Sequence, residues 1–158
     1  MTPAERQVLI AKYKAGYDEV VRALAGIAAD ERDWRPAPGE WSAREVVHHL
    51  ADSETTSCLR LRRMLAMDRP ELQSYDEAAW AVEPRLAYDE PIEPPLAVLD
   101  AVRAATAVLL RRLDDADFAR LGVHPEHDDY SVQIWLEIYA DHAHIHADQI
   151  RRARQGLA

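Results

Sequence analysis

The sequence predicts an all-α domain built as a four-helix bundle. The chain has 158 residues, enough for one compact core, so we expect a single domain over residues 1–158. Only 5 glycines and 1 phenylalanine accompany a composition rich in alanine, leucine, arginine and glutamate, which favours helices over many short strands. Apolar residues recur at helical spacing in four segments, and proline-containing stretches separate these segments.

The first two helices have clear sequence signals. Apolar residues at three- and four-residue steps predict a first helix over about residues 3–29, and Pro3 suits its first turn. Residues 30–41 contain two prolines and a glycine and are predicted to form a loop. Ser42 is followed three residues later by Glu45, a capping-box pattern that predicts a second helix running to about residue 67.

The second half of the chain contains a long connection and two further helices. Residues 68–94 hold four prolines, and within them Tyr75–Trp80 is predicted to form one helical turn. A third helix is predicted over about residues 95–113. Residues 121–132 are predicted to form a loop or small hairpin, and the last helix follows over about residues 131–155.

Composition restricts the classes of partner and compartment. With 28 acidic and 19 basic residues the formal net charge is −9, which argues against binding to nucleic acid. No apolar stretch is long enough for a membrane span or signal peptide, so we expect no membrane partner. The single cysteine, Cys58, cannot form an intramolecular disulfide, and a cytoplasmic location is expected.

Seven histidines are more than a core of this size normally needs. At about 100° per residue, His49 lies at the edge of the buried stripe of the second helix, whereas His48 points to solvent. His142 and His146 project within the apolar arc of the last helix, one turn apart, and His144 points the opposite way. These angles predict that three of the histidines face the core.

Three inward histidines are compatible with a metal site. Two imidazoles at i and i+4 can reach one ion, and a third from another helix completes a set of nitrogen ligands with open positions. An inward histidine is more often a hydrogen-bonded core residue, so this pattern alone leaves both interpretations open. The remaining two, His124 and His127, occur in a polar loop and are expected to be solvated.

Other side chains have simpler interpretations. Cys58 is expected to be a small buried residue of the second helix. The arginines Arg60, Arg62 and Arg63 are expected to form a solvated face of the same helix.

Two segments, residues 38–54 and 139–150, resemble the DinB/YfiT-like superfamily of metal-binding four-helix bundles. Tyr75–Trp80 is similar to a connector motif of the YfiT branch, and His124-Pro-Glu126 is similar to its segment before the last helix. The resemblance covers nearly the whole chain in order. It implies an up-down-down-up bundle in which residues 68–94 cross over between parallel second and third helices.

The resemblance also implies a ligand set and an assembly. The metal ligands would be His49, His142 and His146, the same three that helix geometry turns inward. Zinc or nickel is the expected metal. YfiT-like proteins commonly form homodimers, and Ile134 and Ile145 at the edge of the last helix's apolar arc are the residues we assign to such an interface.

One departure from the family pattern is visible near these ligands. Gln149 stands where some members of the YfiT branch carry another histidine. The departure leaves the three ligands intact and leaves the substrate open.

The superfamily resemblance implies two chemistries on a small-molecule substrate. Three neutral imidazoles leave the charge of a divalent ion uncompensated, which lowers the pKa of a bound water or thiol. The implied reactions are hydrolysis by metal-bound water and transfer of a low-molecular-weight thiol co-substrate onto an electrophile. A module that binds metal or ligand without turnover is a further alternative.

Hydrolysis usually requires a carboxylate that accepts a proton. The acidic residues of the last helix point away from the histidine face, and Glu45 and Asp52 flank His49 as the candidate catalytic residues. Glu45 has a helix cap as its alternative role, and Asp52 a solvated carboxylate. Because a metal-held thiolate needs no such base, thiol transfer is favoured over hydrolysis at this point.

Three aromatic residues are candidates for the wall of a substrate pocket. Tyr75 and Trp80 belong to the crossover, and Trp41 lies near the end of the preceding loop. Simple packing is the alternative role for each of them.

Overall fold

The fold is described by a computed structural model that covers residues 1–157, apart from the side chain of Asp128. Four long helices form a bundle, as the sequence predicted, and two short helices and a two-stranded hairpin connect them. The elements are α1 (Pro3–Leu24), α2 (Ala43–Ala66), α3 (Glu77–Val82), α4 (Glu93–Leu110), α5 (Asp115–Phe118), β1 (Leu121–His124), β2 (Asp128–Ser131) and α6 (Val132–Arg154).

The helix starts follow the predicted caps. The Ser42 hydroxyl accepts from the backbone N–H of Glu45, and the Glu45 carboxylate accepts from the backbone N–H of Ser42 in return, so the capping box at the start of α2 is present. Ser131 likewise caps α6 through the N–H of Ile134. Helix ends were predicted less well: α1 ends at Leu24 because the chain turns at Gly26, where φ is 75°.

Contacts between the helices fix their relative directions. Lys12 of α1 pairs with Asp141 of α6, and Glu19 of α1 pairs with Arg151 of α6. Because the later residue of α1 meets the later residue of α6, the two helices are parallel. The indole N–H of Trp135 donates to the carbonyl of Ser57, whereas His142 lies beside His49, so α2 runs antiparallel to α6.

The direction of α4 completes the up-down-down-up topology. Arg44 near the start of α2 donates to the carbonyl of Glu90 just before α4, and Glu54 further along α2 pairs with Arg103 further along α4. The helices α2 and α4 are therefore parallel, and residues 67–92 cross over between them. This long connection contains α3, which begins two residues after the start of the predicted helical turn.

Two apolar clusters fill the bundle, and charged and polar groups lie between them. One cluster surrounds Trp135 and the other surrounds Leu50. At their junction, buried Arg103 pairs with buried Glu54 at 2.7 Å, and the Tyr13 hydroxyl donates to the same carboxylate. None of the described helices is long and apolar enough to cross a membrane.

The residues assigned to a dimer interface differ in exposure. Ile134 packs against the core cluster around Trp135, whereas Ile145 is 58% exposed. Homodimer formation stays a prediction.

Candidate metal centre

The seam between α2 and α6 brings together the three histidines that helix geometry had turned inward. His49 lies in the second turn of α2, and His142 and His146 lie one turn apart on the facing side of α6. The capping box at Ser42 fixes where α2 begins and therefore which of its side chains face α6. One ring nitrogen from each histidine lies within 4.8 Å of the others.

The imidazole rings converge closely. The Nε2 atoms of His49 and His142 are 3.4 Å apart. The ring centroid of His146 lies 4.7 Å from that of His49 and 4.6 Å from that of His142. All three rings therefore surround one small volume.

Burial keeps these rings uncharged. Burial, together with the smaller effect of the neighbouring His146, lowers the pKa of His49 to about 3. Burial also lowers the pKa of His142 well below its ordinary value and lowers that of His146. At neutral pH the site therefore presents neutral imidazoles with free lone pairs, the form that binds metals.

The nitrogen positions fit a divalent metal ion. Two nitrogen ligands at about 2.0–2.1 Å from a tetrahedral zinc lie roughly 3.3 Å from each other, close to the spacing of the His49 and His142 Nε2 atoms. Buried Nδ1 atoms of the same two residues have no hydrogen-bond partner among the described residues. These Nδ1 atoms lie on the other side of each ring from the facing Nε2 atoms, so the Nε2 spacing is the observation that fits an ion.

Neighbouring side chains hold the rings in place. Nδ1 of His146 lies 2.7 Å from Oε1 of Gln149, which leaves the Nε2 atom of His146 for a ligand role. The indole of Trp41 covers the cluster, with its centroid 4.7 Å from that of His49 and 6.4 Å from that of His146. Trp41 therefore packs against two of the three rings, and its role in a substrate pocket stays a prediction.

A cavity of about 170 Å³ borders the histidine cluster. It lies between α2, α6, the crossover and the hairpin, and it carries polar groups from all four. Its polar lining includes Arg60, Tyr75, Glu77, His124, Tyr139 and His142. This composition suits a small polar ligand placed next to the metal ligands.

Glu77 is a cavity residue that the sequence reasoning missed. Its Oε2 atom lies 3.8 Å from Nδ1 of His49, and its side chain remains 60% exposed. Partial burial raises the pKa of Glu77, and the charges of Asp76 and Glu126 raise it further. The sequence did contain a clue to Glu77, because this acidic residue lies two positions after Tyr75, which was already a candidate pocket residue.

The two carboxylates proposed from helix angles have other partners. Glu45 accepts from the backbone of Ser42 and pairs with Arg35, as expected of the capping role. Asp52 accepts a hydrogen bond of 2.9 Å from the hydroxyl of Tyr88. Neither carboxylate is among the residues that line the cavity beside His142.

The remaining predicted pocket residues occupy the crossover. The ring of Tyr75 lines the cavity, and Trp80 packs against it with a centroid separation of 4.4 Å. Trp80 therefore supports the cavity wall through Tyr75, since it is not itself among the lining residues.

Four histidines lie outside the cluster. Ring nitrogens of His48 and His144 bond to the carbonyls of Glu90 and Lys12, at 3.1 and 3.0 Å. His127 is exposed, as expected, but the expectation of a solvated His124 was wrong. His124 is only 4% exposed because the hairpin folds its ring under Tyr130 toward the cavity.

Arg60 and Cys58 also differ from the expectations for α2. Arg60 is only 8% exposed because the crossover covers it, whereas Arg62 on the same helix is exposed as expected. Cys58 is half-buried.

The fold and the site define a four-helix bundle whose seam carries a three-histidine group suited to a divalent metal. The model of the DinB superfamily matches residues 12–150. The chain belongs to this superfamily.

Similar proteins agree in fold and in family. A protein of Oceanobacillus iheyensis is 36% identical over 112 residues, a match that covers 71% of this chain and 64% of that protein, slightly less than two thirds of its length. One from Geobacillus thermodenitrificans is 31% identical over 140 residues, covering 87% of this chain and 78% of the relative. The solved structure of YfiT from Bacillus subtilis, described as having an unusual four-helix bundle topology, matches 100% of this chain and 91% of its own with a TM-score of 0.90 at 27% identity.

Proposed function

We propose that the protein is a metal-dependent hydrolase. The observation that carries this proposal is the position of the Glu77 carboxylate, 3.8 Å from a neutral, buried imidazole of the three-histidine cluster and on the wall of the same cavity. Thiol transfer was favoured from sequence because it needs no base, whereas hydrolysis had only Glu45 and Asp52, each with an alternative role, as candidate bases. Glu77 removes that objection to hydrolysis.

Each group in the site has a role in this reaction. His49, His142 and His146 would hold the metal, and a divalent metal on three neutral imidazoles lowers the pKa of a coordinated water. Glu77 accepts the proton, and its raised pKa makes it a better base than an ordinary surface glutamate. Trp41 covers the cluster and limits access of bulk water.

The names of relatives support the same class of reaction. The proteins of O. iheyensis and G. thermodenitrificans and the B. subtilis protein YfiT all carry names that propose a metal-dependent hydrolase. These names give no substrate.

Transfer of a low-molecular-weight thiol is the second candidate. The Glu77 carboxylate lies 3.8 Å from Nδ1 of His49, whereas the Nε2 atom of that ring faces His142. In this position Glu77 also suits a second role, orienting the His49 ring rather than taking a proton from the substrate side. A metal held by the three histidines would lower the pKa of a thiol co-substrate, so transfer would need no protein base.

One experiment separates the two reactions. The purified protein is loaded with zinc or with nickel and assayed on 4-nitrophenyl esters and amides without thiol, and in parallel with bacillithiol, mycothiol or glutathione plus monochlorobimane. Metal-dependent hydrolysis in the first assay supports the proposal. Conjugation in the second assay alone would replace it with thiol transfer, and inactivity in both with metal retained would indicate a binding module without turnover.

A further inference from the structure

Arg60 is a buried cation on the wall of the cavity. It is 8% exposed, and it forms no ion pair with a carboxylate among the described side chains. The contrast with Arg103 is informative, because that buried arginine pairs with Glu54 at 2.7 Å. Taking a guanidinium out of water without a counter-charge is costly, so proteins rarely keep one unless a ligand supplies the anion.

The hydrogen bonds of Arg60 leave donors available. Its Nε and Nη2 atoms both donate to the carbonyl oxygen of Gln73, at 2.8 and 2.5 Å. Among the described residues, the Nη1 atom has one contact, of 3.5 Å, with the hydroxyl of Tyr139. Since a guanidinium carries five N–H groups, at least two remain for another acceptor.

A second donor in the same cavity also lacks a partner. The hydroxyl of Tyr75 is buried and has no hydrogen-bond partner among the described residues. Burial raises the pKa of Tyr75, so the phenol keeps its proton and can donate. Arg60 and Tyr75 both line the cavity that includes His142.

We propose that Arg60 and Tyr75 bind a carboxylate group of the substrate, beside the three-histidine cluster. The geometry supplies one cation and one neutral donor, a set suited to a planar monoanion. Glu77 and Glu126 on the same cavity oppose a more highly charged group such as phosphate. The identification of this carboxylate as part of a substrate rests on the proposed function, whereas the binding itself does not.

Matched probes test the binding directly. Butyrate and butyramide have similar shapes and differ in charge, and inorganic phosphate serves as a second anion. Each is titrated into ¹⁵N-labelled protein as purified and again after metal removal, so that an anion cannot bind through the metal. The dissociation constant and the Arg60 Nε–H chemical shift are the readouts.

Three variants assign the effect to the cavity. Arg60→Gln removes the cation, and Tyr75→Phe removes the unpaired hydroxyl without breaking a hydrogen bond between described residues. Arg62→Gln makes the same change in net charge on an exposed position of α2 and serves as the control. Thermal unfolding of each variant establishes whether it folds.

We expect butyrate to bind roughly 10- to 100-fold more tightly than butyramide, the range for hydrogen bonds to charged groups. Arg60→Gln should abolish this preference, Tyr75→Phe should reduce it several-fold, and Arg62→Gln should leave it unchanged. Equal affinities in the unaltered protein, binding of phosphate alone, or a preference that survives in folded Arg60→Gln would overturn the proposal. If Arg60→Gln does not fold, an unchanged preference in Tyr75→Phe overturns it.

Ester hydrolysis separates this proposal from the proposed function. The values of kcat/KM for 4-nitrophenyl hemisuccinate and 4-nitrophenyl butyrate are compared in the unaltered protein and the variants. Hydrolysis of both esters at equal efficiency would overturn the carboxylate site and leave the hydrolase proposal standing. Selective butyrate binding without hydrolysis of any ester would support the carboxylate site and contradict the hydrolase proposal.

Discussion

Nδ1 of His146 lies 2.7 Å from Oε1 of Gln149, three residues further along α6. This contact fixes which nitrogen of His146 carries hydrogen and which is free to face His49 and His142. The glutamine that departs from the family pattern therefore has a defined place: it orients one member of the histidine cluster.

Replacing Gln149 by Leu should weaken metal binding while the fold is retained. Loss of a partner that orients a metal-ligating histidine typically costs about 10- to 100-fold in affinity. Competition with a chromophoric chelator measures the affinity. Gln133→Leu, at a half-buried position near the start of α6 whose side chain donates to Glu137, is the matched control and should bind metal normally. Equal affinity of the Gln149 variant would contradict the orienting role.

Replacing Glu77 by Gln should lower metal-dependent hydrolysis by roughly 10²- to 10⁴-fold, the usual contribution of a general base. Metal content should stay unchanged, because three histidines remain as ligands. The measurement is kcat on the best ester substrate, alongside metal content. Asp76→Asn, at the neighbouring position, serves as the control, and an equal loss in both variants would assign the effect to the crossover rather than to a base.

Breaking the buried pair between Arg103 and Glu54 should destabilise the bundle strongly. Replacing Arg103 by Met leaves an uncompensated carboxylate in the core, at a cost of about 3–5 kcal/mol. The free energy of unfolding in urea measures this loss. The double replacement of Arg103 by Met and Glu54 by Leu should recover part of it, and a double variant less stable than the single one would contradict the explanation.

The metal-free protein should lose stability as the pH falls below about 6.5. The folded pKa of His49 is about 3, below its ordinary value of 6.5, so the folded state binds fewer protons than the unfolded chain between these values. The free energy of unfolding is therefore greatest near neutral pH, where His49 is neutral in both states, and it falls on acidification. Urea unfolding at pH 7.5 and at pH 5 measures this fall in stability. The fall should be smaller in the His49→Asn variant than in the control variant His127→Asn, which changes an exposed histidine.

Much of the fold was accessible from sequence because local signals and packing agree. The capping box at Ser42, the cap at Ser131 and the apolar spacing predicted where α2 and α6 lie, and the prolines predicted the crossover. Helix ends were less accurate because they depend on single turns, such as the positive φ at Gly26.

The site was only partly accessible for a different reason. His49 lies on the inward face of α2, and His142 and His146 lie on the inward face of α6. The regular angle between successive residues of a helix predicts which positions face inward. Glu77, Arg60 and the buried state of His124 depend on how the crossover and hairpin fold over the bundle, and no periodic pattern encodes those placements.

The central claim is that His49, His142 and His146 together hold one divalent metal ion. Elemental analysis of purified alanine variants tests it most directly, with zinc or nickel supplied at equal concentration to every variant. We expect loss of stoichiometric metal in each of these three variants, and retention in His48→Ala and His144→Ala, whose rings bond to backbone carbonyls elsewhere. Full metal content in folded variants of all three cluster histidines would show that they do not hold the ion.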